Sequence, residues 1–195
     1  PEYNREVLEA LRQPLEDGIV SVARVQATMT FPAECILVGA MNPCPCGYKG
    51  YPEAKCIGAA QCEKYAGKVS GPLLDRIDLH IVVPRLKPEE LIDKPTGEPS
   101  ESIRERVVAA REQQHKRLGS QRTNAKMAPR EVREVVEMDE ECKDFMKLMS
   151  ARMNLSARVF DRMLKVARTI ADLAGEEKVT KRHLSEAVQY RSTTQ

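Results

Sequence analysis

Residues 85–100 are rich in prolines and charged residues, and this stretch limits how the rest of the chain can fold. Four prolines lie in it or at its edge: Pro84, Pro88, Pro95 and Pro99. Proline lacks an amide proton and fixes its own backbone angle, so this density of prolines interrupts helices and strands and is typical of a linker. The sequence therefore predicts a domain over residues 1–84, a linker over 85–100 and a second domain over 101–195.

The first domain carries the patterns of strands as well as helices. Partial alternation and β-branched residues over 19–25, followed by a similar run over 27–31, predict a β-hairpin with its tip near Arg24. Two apolar runs, 35–41 and 79–83, have no polar alternation, which favours strands buried on both faces of a parallel sheet. The first domain is therefore predicted to be α/β.

The second domain is predicted to be entirely helical. Apolar residues recur there at the helical period, most regularly over 155–174, and Gly175 ends that pattern. The predicted helices cover residues 101–118, 129–138, 139–151, 155–174 and 181–190. The fold class expected for the whole chain is α/β plus all-α, and predominantly helical.

Charge and hydropathy narrow the function classes. The formal net charge is +2, and the excess of lysine and arginine lies after residue 100, which weakly favours a polyanionic partner. No apolar stretch approaches the roughly 20 residues that cross a bilayer. The first five residues do not resemble a signal peptide, so we expect a soluble, cytoplasmic part of a longer chain, without a membrane partner.

Four of the six cysteines crowd together in the sequence, with the spacing Cys44-x-Cys46-x9-Cys56-x5-Cys62. Four thiolates are what a tetrahedral structural zinc site requires. The C-x-C spacing is less specific than paired C-x-x-C, so free thiols are the alternative. The other two cysteines, at positions 35 and 142, are predicted to be core residues.

Two polar residues follow predicted elements of the first domain. Asn42 comes where an apolar run ends, and ligands bind at the carboxyl ends of strands in open α/β sheets, so its amide could face a bound group or an attacking water. The alternative is that Asn42 simply begins a turn. Arg76 is predicted to be exposed, where it could reach a phosphate on a neighbouring subunit or form an ion pair with Asp75 and Asp78.

Three further arginines are candidates for anion contacts. Arg158 lies in the first turn of a predicted helix, where free amides and the helix dipole favour an anion. Arg162 follows on the same basic stripe, for which a solvated flank is the alternative. Arg24 near the hairpin tip could contact nucleic-acid phosphates or simply be hydrated. The phosphate-binding pattern G-x-x-x-x-G-K-[ST] is absent from the sequence.

Four segments in order carry a resemblance to a known family. They are Leu-Arg-Gln-Pro-Leu-Glu-Asp-Gly (11–18), Gly-Ala-Met-Asn-Pro-Cys-Pro-Cys-Gly (39–47), Ser-Gly-Pro-Leu-Leu-Asp-Arg-Ile-Asp-Leu-His (70–80) and Leu-Ser-Ala-Arg followed by Val-Ala-Arg-Thr-Ile-Ala-Asp-Leu (155–173). Together they resemble the C-terminal half of the Mg-chelatase-like AAA+ ATPases of the ComM/YifB competence type. The resemblance implies that the Walker motifs lie upstream, in a longer parent chain.

The resemblance also implies roles for particular residues. Asn42 resembles sensor 1, Arg76 the arginine finger offered to the next subunit, and Arg158 the sensor 2 arginine, with Arg162 assisting it. The hairpin resembles an insertion that related helicases point into a central pore, which favours a DNA contact by Arg24. Family members often carry two close cysteine pairs, and the wider spacing of the second pair here departs from that pattern.

These roles imply a ring-forming ATPase that uses ATP and Mg²⁺, with six subunits expected. The implied function is that of a branch-migration helicase that helps to integrate incoming single strands during natural transformation. Its implied partner is single-stranded or branched DNA. The parent chain would hydrolyse ATP, and these residues alone would not. The alternatives are the motor subunit of a magnesium-chelatase-type complex, and a protein- or DNA-binding assembly module without catalysis of its own.

Overall fold

The computed structural model describes residues 1–50, 56–84, 86, 92, 97–119 and 121–192. The chain forms two compact units, Pro1–Ile77 and Asp78–Gln195. Most of the predicted linker, 85–100, lies outside the described residues. The described part is predominantly helical, as predicted, with one two-stranded sheet.

The first unit begins with two short helices, α1 (Arg5–Ala10) and α2 (Arg12–Asp17). Pro14 lies in the first turn of α2, where a backbone N–H would have no partner within the helix, so the proline is tolerated there. Gly18 ends α2 with a positive φ of 67°, a conformation that glycine adopts without steric cost.

A β-hairpin follows directly, as predicted. Strands β1 (Ile19–Arg24) and β2 (Ala27–Pro32) pair antiparallel, and only two residues connect them. The side chain of Gln13 on α2 accepts a hydrogen bond of 3.3 Å from the Ser21 amide of β1. Nearly every hairpin residue is exposed to solvent, so the hairpin has no buried face among the described residues.

The two predicted buried strands are absent, and this part of the α/β prediction is wrong for the described residues. Residues 35–41 and 79–83 are irregular, and their apolar side chains are exposed, with Ile36 at 85% and Val38 at 88%. A strand buried on both faces needs neighbouring strands for its hydrogen bonds and helices over its faces. The described residues supply β1 and β2 alone as sheet, and those pair with each other.

The first unit ends with α3 (Ala59–Ala66) and α4 (Gly71–Leu74). Ser70 caps α4, because its hydroxyl accepts a 3.3 Å hydrogen bond from the Leu73 amide. Few side chains are buried here: among the described residues of Pro1–Ile77, the buried apolar ones are Cys44, Cys62, Tyr65 and Leu73. Two of these four residues are cysteines.

The second unit contains every helix predicted for it, with ends that differ by a few residues. Its elements are α5 (Ser100–Leu118), a 3₁₀ turn (Asn124–Lys126), α6 (Pro129–Val135), α7 (Glu140–Met153), α8 (Ala157–Leu173) and α9 (Lys181–Ser192). Asp139 and Ser156 cap α7 and α8 through hydrogen bonds to the amides three residues later. These caps fix where both helices begin.

The core of the second unit is built around α8. Its buried apolar side chains include Met163, Leu164 and Ala167, which belong to one cluster with residues of α6, α7 and α9. Cys142 on α7 lies in this cluster, as predicted. Cys35 is exposed, so the prediction of a core role for that cysteine is wrong.

A buried polar network fixes the C-terminal half of α8. The carboxylate of Asp172 accepts hydrogen bonds from Arg168 (3.0 Å), Arg117 of α5 (2.5 Å) and Asn124 (2.8 Å). Arg168 also donates to the backbone carbonyls of Glu176 and Glu177. Burial lowers the pKa of Arg168, and the charge of Asp172 opposes that effect.

Within the described ranges, no helix is both long enough and apolar enough to cross a membrane.

Candidate functional site

Asn42 lies in an exposed, irregular segment of the first unit. Contrary to the prediction from the sequence, Asn42 does not follow a buried strand, because the preceding run 35–41 is irregular. The alternative, that Asn42 and the following proline begin a turn, is consistent with the irregular backbone here.

Arg76 follows α4 and is buried, with 9% of its surface exposed, so the expectation of an exposed arginine is wrong for this structure. Its guanidinium donates a 2.6 Å hydrogen bond to the carbonyl of Pro72 and forms an ion pair with Glu16 of α2. A phosphate would therefore have to compete with the Glu16 carboxylate for this arginine.

Arg158 is the second residue of α8 and is exposed. The amides of the first helical turn have no partners within the helix, and the dipole is positive at this end. The cap uses the amide of Val159, which accounts for one of these donors. The structure thus puts an exposed guanidinium beside a helix N-terminus, as the sequence predicts, and the pair suits an anion.

Arg162 lies one turn further along α8 and has a partner within the second unit. Its guanidinium donates a 2.6 Å hydrogen bond to Asp78, and its side chain is mostly buried. Lys165, on the same stripe, donates to the carbonyl of Ala125. Burial, and next the positive charge of Arg162, lower the pKa of Lys165. Two members of the basic stripe, Arg162 and Lys165, therefore already have hydrogen-bond partners within the second unit.

Arg24 is the last residue of β1 and is exposed, in register with Ala27 of β2. Val25 beside it is fully exposed. This confirms that Arg24 lies at the hairpin tip. An arginine at the end of a projecting hairpin can reach a phosphate, although the position alone does not select one.

The four clustered cysteines come together in the first unit. The Sγ atoms of Cys44 and Cys46 are 3.2 Å apart, those of Cys46 and Cys56 are 3.8 Å apart, and those of Cys56 and Cys62 are 3.3 Å apart. The sulfur atoms of Cys44, Cys56 and Cys62 all lie within 4.8 Å of one another. These three thiols are close enough to share one metal ion, and Cys46 lies beside two of them.

Hydrogen bonds within the cluster give its thiols different acidities. Although burial opposes the change, hydrogen bonds from Cys46 and from the amides of Lys49 and Tyr48 lower the pKa of Cys44 to about 6. The hydrogen bond with Cys56, together with burial, raises the pKa of Cys62 to about 12. The arrangement therefore favours a thiolate at Cys44.

Two partners of the candidate arginines were not apparent from sequence spacing. Glu16 pairs with Arg76 across 60 positions, and Asp78 pairs with Arg162 across 84. Charged residues are abundant in the chain, so nothing in their spacing selects these two. Both do lie inside segments that carry the family resemblance, 11–18 and 70–80.

Comparison with known families covers almost the whole chain. The profile described as "Magnesium chelatase, subunit ChlI" matches residues 1–91, and "Magnesium chelatase, subunit ChlI C-terminal" matches residues 97–191. The chain belongs to the Mg-chelatase-like family. The boundary between these two profile matches lies within the proline-rich stretch.

Individual relatives agree with this assignment. The chain is 39% identical over 194 residues to YifB of Escherichia coli (strain K12) and 40% identical over 193 residues to competence protein ComM of Haemophilus influenzae. An uncharacterized protein of Mycobacterium tuberculosis is 37% identical over 194 residues. Each alignment covers 98% of this chain and 37–38% of the relative. The Mg-chelatase-like chain described here thus spans little more than a third of these relatives.

Proposed function

We propose that this Mg-chelatase-like chain is the distal part of a ring-forming AAA+ ATPase that acts on DNA in the cytoplasm, as a branch-migration helicase in natural transformation. The observation that carries the proposal is the 40% identity to competence protein ComM over 98% of the chain. A parent chain would supply the Walker motifs and Mg²⁺ ligands, and a ring of six subunits would place nucleotides between neighbours.

The proposed nucleotide contacts combine the position of Arg158 with the roles that the family resemblance implies for Arg76, Arg162 and Asn42. Arg158 is exposed beside the N-terminus of α8, which suits the γ-phosphate of ATP, with Arg162 as a neighbouring positive charge. Arg76 is the proposed finger for the nucleotide of the next subunit, where its fixed charge would stabilise the transition state. Asn42 is proposed to orient the attacking water. Bound ATP·Mg²⁺ would supply the phosphoryl group and the divalent charge.

The binding of Arg76 to Glu16 sharpens the proposal. An arginine that acts as a finger must exchange the Glu16 carboxylate for a phosphate when the ring forms. Substitution of Glu16 by glutamine would leave the guanidinium in place and remove the competing charge. Glu16→Gln is therefore expected to retain ATP hydrolysis in the parent protein, whereas Arg76→Ala abolishes hydrolysis and spares nucleotide binding.

The deciding experiment measures ATP hydrolysis by the parent protein with and without single-stranded and branched DNA. DNA is expected to stimulate ATP hydrolysis. Both Arg76→Ala and Arg158→Ala are expected to abolish hydrolysis, with and without DNA. Arg130→Ala, at an exposed helical position where the arginine pairs with Glu134 one turn away, is the matched control and should keep the rate. If Arg76→Ala hydrolyses ATP at the normal rate, the finger role is wrong; if Glu16→Gln fails equally, Arg76 acts through the fold.

The family profile itself favours a second function, a motor subunit of a magnesium-chelatase-type complex. The same ATP site would then drive metal insertion into a porphyrin. Stimulation of hydrolysis by porphyrin, with none by DNA, would support that function.

A third hypothesis is a protein- or DNA-binding assembly module without catalysis of its own. It rests on the basic second domain and on Arg24 at the hairpin tip. In that case the chain alone would bind DNA without any hydrolysis, with an affinity that falls steeply with salt. Arg24→Ala should weaken such binding if the hairpin contacts the DNA backbone.

A further inference from the structure

We propose that Cys44, Cys46, Cys56 and Cys62 bind one Zn²⁺ ion, and that this ion replaces much of a hydrophobic core in the first unit. The proposal is independent of the ATPase function above, because none of the four residues has a role in the nucleotide contacts. It concerns the stability of the unit that contains α3, α4 and Arg76.

The separations of the sulfur atoms fit a tetrahedral thiolate site. With Zn–S bonds of about 2.3 Å, adjacent sulfurs of a regular tetrahedron lie about 3.8 Å apart. The distance from Cys46 to Cys56 is 3.8 Å, and those from Cys44 to Cys46 and from Cys56 to Cys62 are 3.2 and 3.3 Å. An outward shift of about half an ångström in the two shorter pairs, and a closer approach of Cys46 to Cys62, the pair that lies beyond 4.8 Å, reach the zinc geometry. A disulfide, by contrast, needs about 2.05 Å.

The backbone around Cys44 and Cys62 supports these two ligands. The Lys49 amide donates a 3.2 Å hydrogen bond to the sulfur of Cys44, a contact that stabilises a thiolate and orients it toward a metal. Gly47, with φ of 73°, donates its amide to the Cys44 carbonyl and so closes a tight turn directly after Cys44. Cys62 lies in the first half of α3, so a regular helix positions it.

Burial divides the four ligands into an inner and an outer pair. Cys44 and Cys62 are fully buried, Cys46 is half-buried, and Cys56 is exposed. An ion held by this set would be shielded on its inner side and accessible to a chelator on its outer side. The four donors would fill a tetrahedral shell and leave no open position for water, which is the pattern of a structural rather than a catalytic zinc.

The hydrophobic core of the first unit is small, which explains why a bound metal would stabilise it. Among residues 1–77 that the structure describes, the buried apolar side chains are Cys44, Cys62, Tyr65 and Leu73. Small units that cannot bury enough apolar surface commonly depend on disulfides or metals, and metal binding then supplies folding free energy. The sulfurs at the centre of this core are the groups that can recruit an ion.

The test begins with the whole chain, purified under reducing conditions without added zinc. We expect one zinc per chain by elemental analysis, and four thiols that resist alkylation until a chelator is added. Cobalt, substituted for zinc, should give the visible absorption bands of tetrahedral thiolate coordination. Chelation should loosen α3 and α4 in hydrogen exchange and leave α5 to α9 protected.

Matched variants locate the site. Cys56→Ser removes an exposed ligand and should lose most of the bound zinc, whereas Cys35→Ser, at an exposed cysteine outside the cluster, should retain one zinc per chain. Cobalt titration of the unsubstituted chain tests the site even if Cys56→Ser fails to fold. Absence of zinc together with alkylation of the four thiols as fast as Cys35 would overturn the proposal, and so would two disulfides within the cluster.

Discussion

Replacement of Asp172 by asparagine should destabilise the helical unit strongly, because the side chain is buried and neutralises arginine charge. Asp172 and Arg168 are each only 1% exposed, and Arg117 is 26% exposed. Asparagine has nearly the same shape but removes the negative charge. Its amide group would also point hydrogen atoms toward Arg117 or Asn124, both of which donate to the present carboxylate.

The expected magnitude follows from the contacts that remain. Removal of one partner of a buried ion pair typically costs about 3–5 kcal/mol. Arg168 keeps its hydrogen bonds to the carbonyls of Glu176 and Glu177, so we expect the lower end of that range, about 3 kcal/mol. For a unit of this size the loss corresponds to a decrease in Tm of roughly 12 °C, at about 4 °C per kcal/mol.

Thermal unfolding of the whole chain, followed by far-UV circular dichroism, measures this effect. The chain contains no tryptophan, so helical ellipticity is a better probe than intrinsic fluorescence. The matched control is Asp144→Asn, which removes an exposed ion pair with Lys147 and should cost less than about 1 kcal/mol. If both variants unfold at the same temperature, the buried network contributes no net stability and the reasoning is wrong.

Two further predictions concern the same helical unit. Leu164→Ala, at a fully buried position of α8, should cost about 2–5 kcal/mol by urea unfolding, whereas Leu148→Ala at an exposed position of α7 should cost under about 1 kcal/mol; equal losses would contradict the described core. Hydrogen bonds from Arg122, and next from the Ala128 amide, lower the pKa of Glu131 from its ordinary 4.5 to about 2. The stability from this carboxylate is therefore fully present above pH 4.5 and is lost as the pH falls toward 2. Glu131→Gln should therefore weaken the dependence of the free energy of unfolding on pH between pH 2 and 4.5. If the variant shows the same pH dependence as the unsubstituted chain, Glu131 is not the group responsible.

The helices of the second unit could be predicted from the sequence because their signals are local. The stripe that ends at Gly175 predicts a helix over 155–174, and α8 occupies most of that range. The hairpin was predictable for the same reason, since β-branched residues and a short connection lie within a few positions of each other. Caps and periodicity act over one or two turns, and a single sequence contains them directly.

The parts that could not be predicted depend on elements distant in the chain. An apolar run such as 35–41 forms a buried strand only when other strands and helices cover it, and its own composition carries no information about them. Likewise, the burial of Arg76 depends on Glu16, 60 positions earlier. The cysteine spacing predicted which residues could hold a metal, whereas the separation of their sulfurs required the structure.

The exposed apolar runs described above affect how any assembly of this chain is interpreted. Ile36, Val38 and Val83 expose apolar side chains to water, and association through exposed apolar surface sets no limit on the number of copies. A rotationally symmetric ring, in contrast, stops growing when its last interface closes. On dilution, open-ended aggregates shrink through a continuum of masses, whereas a closed ring dissociates from one fixed mass. The distribution of masses therefore distinguishes non-specific association from a closed ring.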